Sequence, residues 1–262
     1  MNRFLKGAMI LTIAGVIVKI IGAFSKVLVA RILGGEGIGL YMMAYPIYQI
    51  IVSISAAGIP VAISIMIAEK LANRDMRGVQ QVFNVSLRVL TLVGIVFSVG
   101  LYASAEWLIK WNIITDPRAL IPIQLLSPAI IVVTILSCFR GYFQGFQYMV
   151  PTGTSQVFEQ IFRVGSMVGL AYYFIDSGLH LAAGGATFAT FPGVLAGLIV
   201  LVYFYRSQRS LRQQMLSEQN EEAPIERTSA VIKRLFALAI PVSMANIMLP
   251  MVSLIDTFIV PK

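Results

Sequence analysis

Seven long apolar runs dominate the chain, and short polar segments separate them. An α-helix needs ~20 mostly apolar residues to cross ~30 Å of hydrocarbon, and several of the runs reach that length. A backbone within lipid must satisfy its own hydrogen bonds, which leaves helices or a closed barrel, and the alternating polarity of barrel strands is not found here. The pattern therefore predicts an all-α polytopic membrane bundle, with spans at about residues 8–32, 38–67, 81–104, 119–139, 155–175, 183–205 and 231–259.

One polar segment interrupts this pattern near the end of the chain. Residues 207–228 are rich in arginine and glutamate and contain no long apolar run. We therefore expect three parts: a six-helix N-terminal transmembrane lobe at residues 1–206, a cytoplasmic linker at residues 207–228, and a seventh transmembrane helix at residues 229–262 that begins an absent second lobe.

Two pairs of glycines occur within the predicted spans. Gly165 and Gly169 lie four residues apart in the fifth span, and Gly193 and Gly197 do so in the sixth. Such pairs allow the backbones of neighbouring membrane helices to approach closely. The spacing predicts tight helix packing at both pairs.

The composition supports a membrane protein, and the charge distribution orients it. Hydrophobic residues make up 58% of the chain and charged residues only 12%, against roughly 25% charged residues in soluble domains. Most lysines and arginines fall in segments on one side of the predicted bundle, and basic segments of this kind stay in the cytoplasm. We therefore expect a multi-pass protein of the plasma membrane with a cytoplasmic N-terminus. Its net charge of +8 requires no nucleic-acid partner.

Two lysines lie inside the first predicted span. Lys19 and Lys26 are seven residues apart, which places them on one face of a helix, two turns apart. A charged side chain at the bilayer centre costs ~2.5–3.5 kcal/mol on insertion scales, so each lysine needs a partner or a water-filled cavity. One interpretation is a site for an anion such as a phosphate or diphosphate. The other is that each lysine pairs with a carboxylate of a neighbouring helix.

Further charges lie in later parts of the pattern. Glu159 and Arg163 are at i, i+4 and can form an ion pair, either as a fixed structural pair or as a polar wall of a transport cavity. Asp256 lies late in the seventh span, and it could meet a cation of the first helix or a coupling ion. Residues 140–152, beginning with Arg140, are predicted as an inside loop that suits lipid headgroups or a tight connection between helices.

Five motifs are distributed along nearly the whole chain. They are Leu-Gly-Gly-Glu-Gly-Ile-Gly at 33–39, Ala-Gly-Ile-Pro-Val-Ala-Ile-Ser at 57–64, Phe-Arg-Gly-Tyr-Phe-Gln-Gly at 139–145, Ser-Gln-Val-Phe-Glu-Gln-Ile-Phe-Arg at 155–163 and Ile-Asp-Thr at 255–257. Together they resemble the stage V sporulation protein B-like polysaccharide exporters. That family belongs to the multidrug/oligosaccharidyl-lipid/polysaccharide exporter superfamily, which also includes MurJ-like lipid II flippases.

The resemblance implies two helical lobes around a central cavity that opens alternately to the two sides of the membrane. It implies a lipid-linked oligosaccharide diphosphate as cargo, whose diphosphate contacts basic residues of the first helix; Lys19 and Lys26 occupy these places. Relatives often carry arginine there, and lysine keeps the charge without the bidentate geometry. Because family members have about twice as many helices, we expect a truncated or split product that needs a partner half.

Three functions fit these features. The first is a flippase or exporter for lipid II or a related cell-wall or polysaccharide precursor, and its site residues would be Lys19, Lys26, Arg163, Glu159 and Asp256. The second is a cation-coupled multidrug exporter, which would favour acidic cavity residues. The third is a non-transporting membrane scaffold in sporulation or division. No HExxH, P-loop or Gly-x-Ser-x-Gly motif occurs, so no enzyme, cofactor or metal site is expected.

Overall fold

The computed structural model describes residues 3–217 and 226–259, with the side chains of residues 5–217, 226–248, 251 and 252. All regular structure in these ranges is helical, which confirms the predicted all-α class. The α-helices are α1 Arg3–Val52, α2 Ile59–Ala72, α3 Met76–Lys110, α4 Leu120–Gly145, α5 Val150–Phe174, α6 Leu179–Phe188, α7 Thr190–Ser207, α8 Arg209–Ser217 and α9 Thr228–Ile259.

Five helical stretches in the described ranges are long and apolar enough to cross a membrane, judged by length and composition alone. They are Leu5–Ala72, Met76–Lys110, Pro117–Gly145, Leu179–Ser207 and Thr228–Met248. The first is 68 residues long and contains both the first and the second predicted span. α5, which matches the fifth predicted span, is not among the five, because it carries Glu159, Arg163 and neighbouring glutamines. The seven predicted spans and the five stretches differ for these two reasons.

The first helical stretch is broken at Gly34. This residue has φ 65° and ψ −174°, so α1 consists of two helical segments that meet there. A side chain with a Cβ rarely adopts a positive φ, and glycine adopts it without steric cost. The break lies between the first and second predicted spans. It allows both segments of α1 to line the same cavity.

A π-helical turn, Ser53–Ala57, separates α1 from α2. Gly58 follows this turn and donates its backbone N–H to Ser243 Oγ of α9 at 3.1 Å. A Cβ at Gly58 would lie only 2.1 Å from the backbone oxygen of Ala239, so a side chain there would force the two backbones apart. α9, the seventh predicted helix, therefore packs directly against the turn and α2.

α4 lies at the centre of the bundle, where it contacts α2, α3, α6 and α7. Its last turns contain Tyr142 and Phe143, which are fully buried. Tyr142 packs edge-on against Phe83, and Tyr205 joins the same aromatic cluster. The loop predicted for residues 140–152 is therefore wrong: only residues 146–149 connect α4 to α5. Aromatic residues that suit a membrane surface serve here as core residues.

The polar segment predicted as a linker is attached to the bundle at both ends. α8 follows α7 almost directly, and the Arg212 guanidinium lies 3.7 Å from the ring centroid of Tyr205. At the other end, Glu226 pairs with Lys70 of α2 at 2.7 Å, and Lys70 also contacts Asp75 at 3.3 Å. These contacts hold the start of α9 against the turn between α2 and α3.

Candidate functional site

A cavity of about 790 Å³ lies between the two segments of α1 and α5. Three of its lining residues are cationic, Lys19, Lys26 and Arg163, and no carboxylate is among the described residues that line it. Its other polar lining side chains are Ser25, Tyr41, Tyr45, Gln49 and Gln160. This first cavity is therefore both basic and rich in hydrogen-bonding groups.

A second cavity of about 560 Å³ adjoins the first. Residues of α1, α4, α5, α7 and α9 line it, and its charged lining residues are Arg140, Glu159 and Arg163. Tyr45, Gln49 and Arg163 line both cavities. The two cavities therefore share part of their wall, on the second segment of α1 and on α5.

The lysine pair, Lys19 and Lys26, lies along one side of the first cavity. Both side chains are exposed, and neither makes an ion pair within the part of the chain that the structure describes. Seven residues of helix separate them, which is roughly 10 Å along the helix axis. Two ammonium groups that face one cavity present separate point charges to an anion, each with three hydrogen-bond donors.

The arginine–glutamate cluster, Arg140, Glu159 and Arg163, joins α4 to α5 at the second cavity. Arg140 Nη2 donates to Glu159 Oε2 at 2.7 Å, and Arg163 Nη2 donates to Glu159 Oε1. The three side chains are only 18%, 14% and 21% exposed. The i, i+4 pair that the sequence predicts is therefore present, and a second arginine shares its carboxylate.

The sequence did not reveal the role of Arg140 because the predicted fourth span ends at residue 139, whereas α4 continues to Gly145. The residues after Arg140 are Gly141, Tyr142 and Phe143, which can continue an apolar helix as well as form a surface loop. A Cβ at Gly141 would lie 2.8 Å from Ile63 Cβ, so this glycine is at a close contact of α4 with α2. A helix extended by six residues would have placed Arg140 within the bundle.

Three tyrosines of α1 form a ladder along the two cavities. Tyr41 and Tyr45 are stacked, with ring centroids 5.3 Å apart and an interplanar angle of 18°. Tyr45 and Tyr48 are tilted at 42° with centroids 5.8 Å apart. Tyr41 lines the first cavity, Tyr48 the second, and Tyr45 both. The spacing of four and three residues along one helix face was the signal in the sequence that could have revealed them.

The two predicted glycine pairs have different surroundings. A Cβ at Gly193 of α7 would lie 2.7 Å from Arg163 Cβ and 2.9 Å from the backbone oxygen of Glu159. Additional atoms at Gly165 or Gly169 would meet nothing within 4 Å in the described structure. The pair in α7 therefore allows the close approach to α5 that positions Arg163, whereas the pair in α5 makes no such contact.

Two further charged residues of the chain are not part of this arrangement as described. Asp256 belongs to the end of α9, and its side chain lies outside the described residues, so its role stays a prediction. Arg88 of α3 is exposed and lines neither cavity. In the described ranges, no group of three or more His, Cys, Asp or Glu side chains could hold a metal ion.

The charges around the two cavities favour an anionic ligand. The described lining residues carry one carboxylate, that of Glu159, and four cationic groups, those of Lys19, Lys26, Arg140 and Arg163. Unpaired positive charge is costly in surroundings of low polarity, and a bound anion reduces that cost. Ammonium and guanidinium groups form their strongest hydrogen bonds with phosphates and carboxylates.

Comparison with known proteins agrees with this picture. Residues 4–261 match the model of a family described as "Polysaccharide biosynthesis protein". Stage V sporulation protein B of Bacillus subtilis (strain 168) is 34% identical over 80% of this chain and 40% of its own length. The lipid II flippase MurJ of the same bacterium is 27% identical over 98% of this chain and 49% of its own length. The predicted resemblance is confirmed, and the matches cover less than half of both relatives.

Solved structures share the same helical arrangement. A MATE protein in complex with MaD3S has a TM-score of 0.75 at 16% identity, over 93% of this chain and 53% of its own. A MOP superfamily transporter from Pyrococcus furiosus Vc1 (DSM3638) has a TM-score of 0.72 at 15% identity, over 94% of this chain and 53% of its own. The chain therefore shares the fold of these two proteins, over about half of each of them.

Proposed function

Because the chain belongs to the polysaccharide biosynthesis protein family, whose members are flippase-like membrane transporters, we propose that it carries a lipid-linked oligosaccharide diphosphate across the plasma membrane. Its cargo is lipid II or a related cell-wall or polysaccharide precursor, and transport proceeds by alternating access. The N-terminus lies in the cytoplasm, in keeping with the distribution of lysines and arginines.

The first cavity is the observation that carries this proposal. Lys19, Lys26 and Arg163 surround a space of about 790 Å³ without a described carboxylate among the lining residues. A diphosphate supplies several anionic oxygens, which accept charge-assisted hydrogen bonds from ammonium and guanidinium groups. The excess of cations favours an anionic cargo over the cationic drugs that an acidic cavity would bind.

The polar groups between the cations suit the sugar part of the cargo. Tyr41, Tyr45, Gln49 and Gln160 line the first cavity with aromatic faces, hydroxyls and amides. Aromatic surfaces with a few placed polar groups are typical of small-molecule sites. In this proposal the cations hold the diphosphate, and the tyrosine ladder lies beside the sugar rings.

A second lobe completes the transporter. The matched part of the two Bacillus relatives is less than half of their length, and the superfamily fold covers about half of each solved neighbour. Many apolar side chains of α1 are exposed here, for example Ile13, Phe24 and Val27. We propose that a C-terminal lobe or a separate partner half packs on this side and closes the cavity.

Binding of the anionic headgroup provides the direct test. The chain would be placed in phosphatidylcholine nanodiscs and titrated with a polyprenyl diphosphate, with the uncharged polyprenol as the ligand control. We expect Lys19→Ala and Lys26→Ala each to weaken diphosphate binding by about tenfold, since a charge-assisted hydrogen bond is lost. Arg88→Ala removes a cation outside both cavities and serves as the matched control. Equal binding by both lysine variants and the unsubstituted chain would remove the anion site.

Transport itself requires a second assay. Liposomes would contain the chain alone or together with a C-terminal half, and arrival of the lipid-linked precursor at the opposite leaflet would be followed. We expect flipping only with both halves, and a strong reduction in the Lys19→Ala variant. Efflux of a cationic dye without flipping would support the multidrug alternative, and the absence of both activities with both halves present would favour the scaffold.

A further inference from the structure

Arg140 extends the cationic surface into the second cavity, whose described lining residues include no lysine. It comes from α4, whereas Glu159 and Arg163 come from α5, and all three line the same space of about 560 Å³. Arg140 Nη2 also lies 3.4 Å from Ser155 Oγ, which donates its own hydrogen to the Thr152 carbonyl oxygen at 2.8 Å. The side chain is therefore held at the cavity wall by two residues of the neighbouring helix.

The carboxylate of Glu159 accepts hydrogen bonds from only some of the N–H groups of the two arginines. A guanidinium has five N–H donors, and Glu159 receives one described hydrogen bond from each arginine. The Nε atoms of both Arg140 and Arg163 are buried and have no hydrogen-bond partner in the described structure. Buried donors without partners are rare in folded proteins, so both guanidinium groups keep hydrogen-bonding capacity that Glu159 does not use.

The charges of the arginine–glutamate cluster do not balance. Two guanidinium groups share one carboxylate, and no other described carboxylate lines the second cavity. The site thus retains one positive charge in surroundings where the three side chains are mostly buried. An anion that adds acceptor oxygens would satisfy both the free donors and the unbalanced charge.

We infer that Arg140 and Arg163 form a second anion-binding site, which binds a phosphate group. Glu159 is the counter-ion that the phosphate displaces. This inference rests on the proposed function, since it places a further binding position for the same diphosphate in the second cavity. Arg163 lines both cavities, so a phosphate can pass from the lysine pair to the arginines without leaving cationic contact. Glu159 keeps the arginines paired when no phosphate is present.

A purely structural ion pair makes opposite predictions for the key variants. If Glu159 only clamps α4 to α5, Glu159→Gln leaves two arginines without a carboxylate, and phosphate binding gains nothing. If Glu159 competes with phosphate, the same change frees both arginines for the ligand. Arg140→Gln separates the two cases further, because it leaves the Arg163–Glu159 pair intact and so preserves most of the local structure.

Titration of the variants with inorganic pyrophosphate is the test. The chain in phosphatidylcholine nanodiscs would be followed by isothermal titration calorimetry, with Arg88→Gln as the control for loss of an unrelated cation. We expect Glu159→Gln to tighten pyrophosphate binding by about tenfold and Arg140→Gln to weaken it by about tenfold. A parallel titration with a polyprenyl diphosphate distinguishes the sources of phosphate: a response to both ligands indicates a general phosphate site, and a response to the lipid alone indicates a lipid-linked headgroup.

Thermal unfolding adds a readout that a structural role alone does not produce. We expect Glu159→Gln to lower the unfolding temperature without ligand and to show a larger rise with pyrophosphate than the unsubstituted chain. If this variant does not fold, Glu159→Asp keeps the negative charge but moves it farther from the arginines. It should tighten pyrophosphate binding by a smaller factor. Binding that is unchanged or weaker in a folded Glu159 variant, or unchanged in Arg140→Gln, overturns the inference.

The lysine variants separate this inference from the proposed function. If Lys19→Ala weakens pyrophosphate binding and the Arg140 and Glu159 variants do not alter it, the lysine site is supported and the second anion-binding site is ruled out. If the lysine variants bind normally while Glu159→Gln tightens binding, the arginines bind phosphate without the proposed lysine site. Failure of all variants to alter binding removes both.

Discussion

The lysine pair and the arginine–glutamate cluster show two ways of placing charge inside an apolar helical bundle. Lys19 and Lys26 are exposed to a cavity and make no ion pair within the described residues, whereas Arg140, Glu159 and Arg163 are mostly buried and joined by hydrogen bonds. A charge that faces a cavity can remain hydrated, and a buried charge needs a partner. The lysines are therefore free to serve a ligand, while the arginines also hold two helices together.

The largest effect on stability should follow the loss of the shared carboxylate. Glu159→Gln leaves two buried guanidinium groups without a negative partner, and we expect it to cost about 3–5 kcal/mol of the free energy of unfolding in the absence of ligand. Unfolding in mixed detergent micelles, followed by circular dichroism, measures this loss. Glu159→Asp keeps the charge and should cost less. If Glu159→Gln lowers the free energy of unfolding by less than the loss of an exposed ion pair does, the arginine–glutamate cluster is hydrated, as the lysine pair is.

A smaller effect should follow crowding behind Arg163. Gly193→Ala places a Cβ within 3 Å of Arg163 Cβ and of the Glu159 backbone oxygen, so α7 and α5 must separate. We expect a cost of about 1–3 kcal/mol, as for other overpacked sites. Gly165→Ala is the matched control, because that position has open space and lies in a similar glycine pair. Equal unfolding free energies for the two variants would show that close approach at Gly193 does not position the cluster.

A still smaller loss of stability is expected at an exposed ion pair. Arg234 of α9 pairs with Glu69 of α2, and their side chains are 40% and 47% exposed. Arg234→Gln should cost about 0–1 kcal/mol, because water solvates both groups once they separate. The same unfolding assay, with and without added salt, measures it. A loss as large as that of Glu159→Gln would contradict the assignment of this pair to a solvated surface.

The smallest effect on stability is expected at the lysine pair. Lys19→Ala and Lys26→Ala remove side chains that make no described ion pair, so the free energy of unfolding should change by about 0.5 kcal/mol or less. The same variants should lose diphosphate binding, which separates a ligand-binding role from a structural one. Paired measurements of unfolding and binding on one preparation test this. Strong destabilisation of either variant would indicate a carboxylate partner, such as Asp256.

The sequence predicted those parts of the fold and site that depend on neighbouring residues along the chain. The i, i+4 spacing of Glu159 and Arg163 was enough to predict their ion pair, because a helix brings such residues together by itself. Arg140 lies nineteen residues before Glu159 and on another helix, so its contact depends on how α4 and α5 pack. The aromatic residues after Arg140 suited a surface loop and a core equally well, and packing made them core.

The membrane class, the helical structure and the approximate positions of the long helices could all be predicted from the amino-acid sequence. These follow from the lengths of the apolar runs, since a backbone in lipid has few alternatives to a helix. Four features became visible only in the folded chain: the break at Gly34, the packing of α9 at Gly58, the two adjoining cavities and the sharing of one carboxylate by two arginines. Those features arise where helices distant in sequence approach each other, and the distances between their side chains are set by packing, which local periodicity does not encode.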